Sequence, residues 1–333
     1  MLTHPMGKTE KLFYVEKGKT AYDDISRLPE EYLQLVLPYA GVYFEQDAEC
    51  DIISQTISLR QFSFWIQEVY AHEDLTLCPF TPVPIWALHF MFDACLQVQL
   101  YENKSFVLQE RECNLFSLES DIHKVPLVKG QKLLSCHINI LPKKFQELAR
   151  KYPSLRNLAK MKSPGVSGPL NKYPYHINQV CNFILRKMLT CRHINFSAEC
   201  FLFRCCLDLF FNFAQQDKQL PLESKHVLYT NELNQLLNFV IDNPHQPCST
   251  KQLALLFEIP EEELAPAFLL QFSTSLKDFI LMVKMMMIFE LLTEKGTSLT
   301  EIASVAGFRN WEFMNTAFNK FYECELEELR RAM

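Results

Sequence analysis

Residues 298–321, SLTEIASVAGFRNWEFMNTAFNKF, constrain the fold of this chain more than any other stretch. Ser298 stands three residues before Glu301, the spacing of a capping box, so a helix is predicted to begin at Leu299. Gly307 follows one short helix later, where a left-handed residue ends a helix and glycine alone carries no Cβ penalty. Asn310 is suited to cap a second helix. On that helix Met314, Ala317, Phe318 and Phe321 fall at i, i+3, i+4 and i+7, an apolar stripe. Arg309, Glu312, Asn315, Thr316, Asn319 and Lys320 fall on the other face. A short helix, a glycine turn and a helix with a polar outer face predict a helix-turn-helix, whose second helix fits a DNA major groove.

These residues resemble the C-terminal signature of the AraC/XylS family of bacterial transcription regulators. That signature looks like I-x-E-I-A, then G-F, then an aromatic-rich helix ending in F-K, then an Arg. Here it reads Leu299, Glu301, Ile302, Ala303, Gly307, Phe308, Phe313, Phe318, Asn319 and Arg330. Lys251, Gln252, Leu253 and Ala254 resemble the start of the family's first helix-turn-helix, and Leu264 and Phe268 the L-x-x-x-F of its second helix. Phe279, Ile280 and Lys284 match a Y-L…R segment, and Glu290, Leu291 and Leu292 the A-x-x-L-L of a linker helix, so residues 231–330 are covered.

The resemblance implies a sequence-specific, ligand-responsive regulator of transcription and not an enzyme. Its implied partners are double-stranded promoter DNA, a small-molecule effector, a second copy of the chain and RNA polymerase. The family's base-facing positions map to Trp311, Glu312 and Thr316, with Asn315, Asn319 and Lys320 placed to hold phosphates and Arg309 and Asn310 flanking them. Glu312 can accept from a cytosine amino group, and Thr316 can touch a thymine methyl.

The N-terminal part changes character. From 41 to 141 it is rich in Val, Ile, Phe, Leu and Thr, in short runs broken by Pro79, Pro82, Pro84, Asn103, Asp121 and Gly130. Runs at 52–59, 61–69, 85–92, 96–101, 104–108 and 132–140 predict short strands in an antiparallel sandwich or barrel. Phe62–Trp65, Leu88–Phe90 and Glu112–Phe116 resemble the β-barrel sensor half of AraC-type regulators from Bacteroidetes-like bacteria, a half similar to a cupin. The expected fold is therefore α+β: an N-terminal cupin-like antiparallel β-barrel with following helices, then an all-α domain with two helix-turn-helix units. The expected boundaries are 1–145 for the sensor barrel with an N-terminal segment, 146–216 for a helical dimerisation or packing segment, 217–229 for a linker and 230–333 for the double helix-turn-helix.

Pro142 is a good first-turn residue for a helix through Ala149, and 162–174, with three prolines and two glycines, reads as a loop. Helices are predicted at 175–189 and 196–215. The second is apolar nearly all round, so it is either buried deeply, against the chain's own barrel, or half of a dimer seam.

Composition bounds the rest. The chain has 333 residues, enough for two cores, with 48% hydrophobic and 22% charged residues as in soluble globular proteins. No apolar run reaches the ~18 residues needed to span a membrane, and MLTHPMGKTEK lacks the apolar core of a signal peptide, so a cytoplasmic protein is expected. The twelve cysteines include no C-x-x-C, and in a reducing compartment they are expected to be small buried hydrophobes. No metal or cofactor is expected: His89, His123 and His137 lie in the barrel region without an H-x-H pair. Trp65, Trp86, His89, Phe90 and Phe92 are the expected lining of an effector pocket, as the resemblance implies.

Charge complicates the DNA reading. Residues 230–333 hold eight Lys and Arg against fifteen Asp and Glu, a net of −7 in a chain whose total is −6. A DNA-facing domain is ordinarily basic. In the first unit, Pro260, Glu261, Glu262, Glu263 and Pro266 occupy the helix that should enter a groove, where an interior proline breaks a hydrogen bond and glutamates repel phosphate. Two functions fit these residues: a regulator that binds DNA mainly through its second unit, or a diverged regulator that acts through protein contacts. A cupin-like metalloenzyme fits them less well.

Overall fold

The computed structural model describes residues 13–15, 28–46, 48–93, 96–99, 105–161, 165–171, 173–219, 229–246, 249–293 and 296–332. The chain is an α+β protein that divides into two compact units, residues 1–177 and 178–333. The expected helical segment 146–216 is thus shared between them. The expected linker falls mostly on 220–228, outside the described residues.

The first unit is built on antiparallel strands. They are β1 (Phe13–Val15), β2 (Gly41–Gln46), β3 (Cys50–Ser58), β4 (Phe62–Ala71), β5 (Leu75–Thr81), β6 (Ile85–Asp93), β7 (Leu96–Gln99), β8 (Ser105–Leu108), β9 (Glu112–Leu118), β10 (Asp121–Ile122), β11 (Val125–Leu127) and β12 (Lys132–Ile140). Helices α1 (Pro142–Lys151) and α2 (Arg156–Ala159) follow, then β13 (Gly168–Pro169) and β14 (Tyr175–His176). The larger sheet runs β13-β9-β6-β12-β4-β3-β2, with β14 also on β9; β5 pairs with β1, β10 and β11; β7 pairs with β8. Part of the expected 162–174 loop therefore adds to the sheet. The segment at 27–39 docks on β3 where described: Gln55 donates from Nε2 to the Leu35 carbonyl (2.9 Å) and accepts from the Leu37 amide (2.8 Å).

Side chains on a strand alternate between faces, and this decides the interior. On the outer face of the large sheet Phe62, Phe64, Trp86, Leu88, Phe90, Ile138 and Ile140 are buried, and Trp86 packs on Phe145 of α1 at 5.0 Å between rings. The inner faces meet in a cluster of Cys50, Ile52, Val69, Ala71, Leu77, Met91, Leu108, Val125, Leu127 and Leu133.

The second unit is helical: α3 (Gln179–Leu189), α4 (Asn195–Gln219), α5 (Thr230–Asp242), α6 (Thr250–Leu256), α7 (Glu261–Phe272), α8 (Leu276–Thr293), α9 (Leu299–Val305), α10 (Trp311–Tyr322) and α11 (Leu326–Ala332). Asn178 caps α3 by accepting from the Cys181 amide at 3.0 Å, so this helix begins four residues later than the periodicity predicts. Helix α4 is buried on nearly every face, with α3, α10 and α11 packed on it. From Phe196 to Gln216 every side chain of α4 is buried or half-buried. No helix among the described residues is long and apolar enough to cross a membrane.

Candidate nucleic-acid interface and effector cavity

The α9–α10 turn forms as its residues dictate. Ser298 Oγ accepts from the Glu301 amide (3.2 Å) and the Glu301 carboxylate accepts from the Ser298 amide (2.8 Å), a complete capping box. That backbone bond holds the Glu301 carboxyl below its ordinary value. Gly307 has φ +69°, and the Phe308 amide reaches back to the Ala303 carbonyl at 2.8 Å. Asn310 Oδ1 accepts from the Phe313 amide at 3.0 Å and opens α10. Met314, Phe318, Phe321 and Tyr322 are buried, with Phe289 of α8 at 4.8 Å from the Tyr322 ring.

The predicted contact residues separate into two groups. Arg309, Glu312, Thr316 and Lys320 are exposed, and Trp311 and Asn315 are half-buried beside them. The Thr316 hydroxyl donates to the Glu312 carbonyl (2.9 Å). Asn310 is occupied as the cap. Asn319 is turned to the chain end: its amide donates to Glu325 (2.6 Å) and its oxygen accepts from the Leu326 amide (2.9 Å), which fixes the turn into α11. Asn319 is therefore engaged internally and not extended toward a phosphate. Phe313, 57% exposed, joins the outer face. Its place off the Met314–Phe318 stripe is the signal that identifies it.

The first helix-turn-helix repeats this geometry at an offset of 49–50 residues. Ser249 and Gln252 form the matching capping box, and the Ile259 amide reaches the Ala254 carbonyl at 3.0 Å. Glu258 (φ +56°) stands where the second helix-turn-helix has Gly307. In α7, Leu264, Phe268 and Phe272 take the buried places of Met314, Phe318 and Tyr322, and Pro266 takes the exposed place of Thr316. Pro260 supplies no side-chain cap, and Glu261, Glu262 and Glu263 fill the first turn. The one hydrogen-bond donor among the α7 side chains is Gln271, which bonds to Asn234 Oδ1 at 2.7 Å. The exposed face of α7 therefore offers no side-chain donor to a base edge or a phosphate.

Within the first unit a cavity of about 300 Å³ lies between the sheets. Trp65 and His89 line it, together with His123, His137, Gln67 and Asn139. Trp86, Phe90 and Phe92 do not, because they alternate with His89 onto the opposite face of β6. Direct cross-strand pairing sets His137 between Trp65 and His89. The rings stack in a row, Trp65 to His137 at 6.0 Å and His137 to His89 at 5.5 Å. Burial lowers the His89 pKa to about 4; burial and then the neighbouring His89 lower His137 to about 3. Both are neutral imidazoles at pH 7. Burial lowers His123 as well, with Asp121 opposing.

No three His, Cys, Asp or Glu side chains converge as a metal set among the described residues. The ten described cysteines are buried and unbridged; burial raises Cys181 to about 12 and Cys205 well above its ordinary value. Cys95 and Cys248 lie outside the described residues.

No family model and no curated protein matches this chain. Solved structures are similar to it. ToxT from Vibrio cholerae is 12% identical over 82% of this chain and 99% of that one, with a TM-score of 0.31. An AraC-type transcriptional regulator from Chromobacterium violaceum is 18% identical over 30% of this chain and 90% of its own (TM-score 0.29). The C-terminal domain of AraT, a response regulator from Geobacillus stearothermophilus, is 16% identical over 32% and 88% (TM-score 0.30).

Proposed function

We propose that this protein is a DNA-binding transcription regulator of the AraC/XylS type, that it docks on duplex DNA through α10, and that a small molecule in the cavity of its first unit modulates it. One observation carries the DNA part. The capping box, Gly307 and the Asn310 cap fix α10 with Glu312, Thr316 and Lys320 exposed one turn apart, the surface a major groove admits. Trp311, Glu312, Phe313 and Thr316 face bases; Arg309 and Lys320 face phosphates; Asn315 sits at the margin. Helix α7 contributes little, for want of donors. A homodimer, if formed on DNA, uses a surface other than α4.

The test is affinity for a duplex selected from a random library, measured at about 50 and about 200 mM salt. Two phosphate contacts per chain give a log–log slope near −2, about a tenfold loss across that range. A flat profile overturns the proposal. It would favour the second function, protein contact by an acidic domain, for which the net of −7 over 230–333 and the exposed Leu255 and Leu256 speak.

A further inference from the structure

The cavity has a definite chemistry. Its described lining contains no Lys, Arg, Asp or Glu. One side is apolar, with Leu77, Phe80 and Phe106. On the other, β4, β12 and β6 bring up Gln67, His137, Asn139 and His89. Both amide atoms of Gln67, His89 Nε2, His137 Nδ1 and Asn139 Oδ1 have no hydrogen-bond partner among the described residues. Native interiors seldom gather several unpaired polar atoms in one place, and a guest that pairs with them relieves their cost. An ion entering here would lose its hydration and find no opposite charge. A neutral imidazole, in contrast, both donates and accepts.

We infer that the cavity binds an uncharged, mainly apolar small molecule that carries one hydroxyl or carbonyl group, seated with that group on Gln67, His89 and His137. This names the ligand class for the effector role proposed above and rests on it only in assigning the ligand a regulatory purpose.

The full chain, without DNA, is titrated calorimetrically at pH 7 with four probes of one shape: 2-naphthol, naphthalene, 2-naphthoate and 2-naphthylmethylammonium. 2-Naphthol is expected to saturate one site and to bind about tenfold more tightly than each of the others, the worth of a hydrogen bond gained or an ion avoided. Equal or tighter binding of the anion or the cation overturns the uncharged class. Equal binding of naphthalene overturns the polar anchor, and no saturable binding of any probe overturns the site. His137→Phe should erase the preference for 2-naphthol while keeping naphthalene binding, which also reports that the variant is folded. Should that variant not fold, the unaltered chain's four affinities still decide. If 2-naphthol binds and DNA affinity does not respond, the ligand class stands and the effector role falls.

Discussion

The guanidinium of Arg204 lies over the ring of Phe321, 3.7 Å from its centroid, and Arg204 Nη1 donates to the Phe321 carbonyl at 3.1 Å. Helix α4 thereby holds the C-terminal end of α10. Two turns further on, Asn212 Nδ2 donates to the Phe272 carbonyl at the end of α7 (2.7 Å) and to Thr274 Oγ1 (2.9 Å). One buried helix thus fixes the ends of both second helices, and so their spacing.

Arg204 is itself held by a two-pronged bond to Asp208, at 3.0 and 2.6 Å, and Asp208 is only 4% exposed. Burial raises the Asp208 pKa and Arg204 opposes that rise. Arg204→Ala leaves a carboxylate buried without its partner, which costs about 3–5 kcal/mol. The double change Arg204→Met with Asp208→Leu should restore more than half of that loss in urea denaturation. Equal loss in the single and double variants would show that packing on Phe321, and not the ion pair, is what matters.

Gly307 and Glu258 occupy the same left-handed corner in the two units, at φ +69° and +56°. Opposite results are expected from exchanging their chemistry. Gly307→Ala should destabilise by about 1 kcal/mol and weaken DNA binding, since the corner aims α10. Glu258→Gly should stabilise by up to about 1 kcal/mol, the strain of a left-handed side chain being removed. Thermal denaturation of both variants checks the pair of signs.

The α9–α10 unit was legible in the sequence because everything that makes it is local: a cap, a glycine and a stripe within 24 residues. The cavity was not. His89 and His137 meet through strand register, which no spacing in sequence encodes, and a run such as Trp86–Phe92 reads as one aromatic patch until the period of two divides it between faces. Asn319 sits on the polar side of α10 by counting, yet the turn into α11 claims both ends of its amide. The all-apolar α4 left the barrel and a dimer seam open as its partners, yet α3, α10 and α11 pack on it, neighbours that an apolar helix does not name in sequence.

The neutral histidines give stability a defined pH dependence. Both folded pKa values, about 4 and about 3, lie below the 6.5 of an exposed imidazole. Between those limits the unfolded chain binds more protons, so stability is full well above pH 6.5 and falls as pH drops towards 4 for His89 and towards 3 for His137. The loss from pH 7 to pH 5 should be about 2 kcal/mol for each histidine. His89→Phe should remove its share of that slope. A difference between variant and unaltered chain that stays constant from pH 7 to pH 5 would count against a neutral, buried His89.

Glu261 and Glu262 open α7 with exposed carboxylates, while Glu263 accepts from the Tyr229 hydroxyl. Carboxylates at a helix N-terminus are stabilised by the macrodipole, each by about 0.3–1 kcal/mol. In the repeat, the corresponding end of α10 is the end proposed to meet DNA. Glu261→Gln with Glu262→Gln should therefore move two measurements in opposite directions. Stability should fall by about 1 kcal/mol, and affinity for the selected duplex should rise several-fold at about 50 mM salt. The gain should shrink at about 200 mM, where exposed charges are screened beyond roughly 8 Å. An affinity unchanged at both salt concentrations would put α7 away from the duplex, with α10 docking alone.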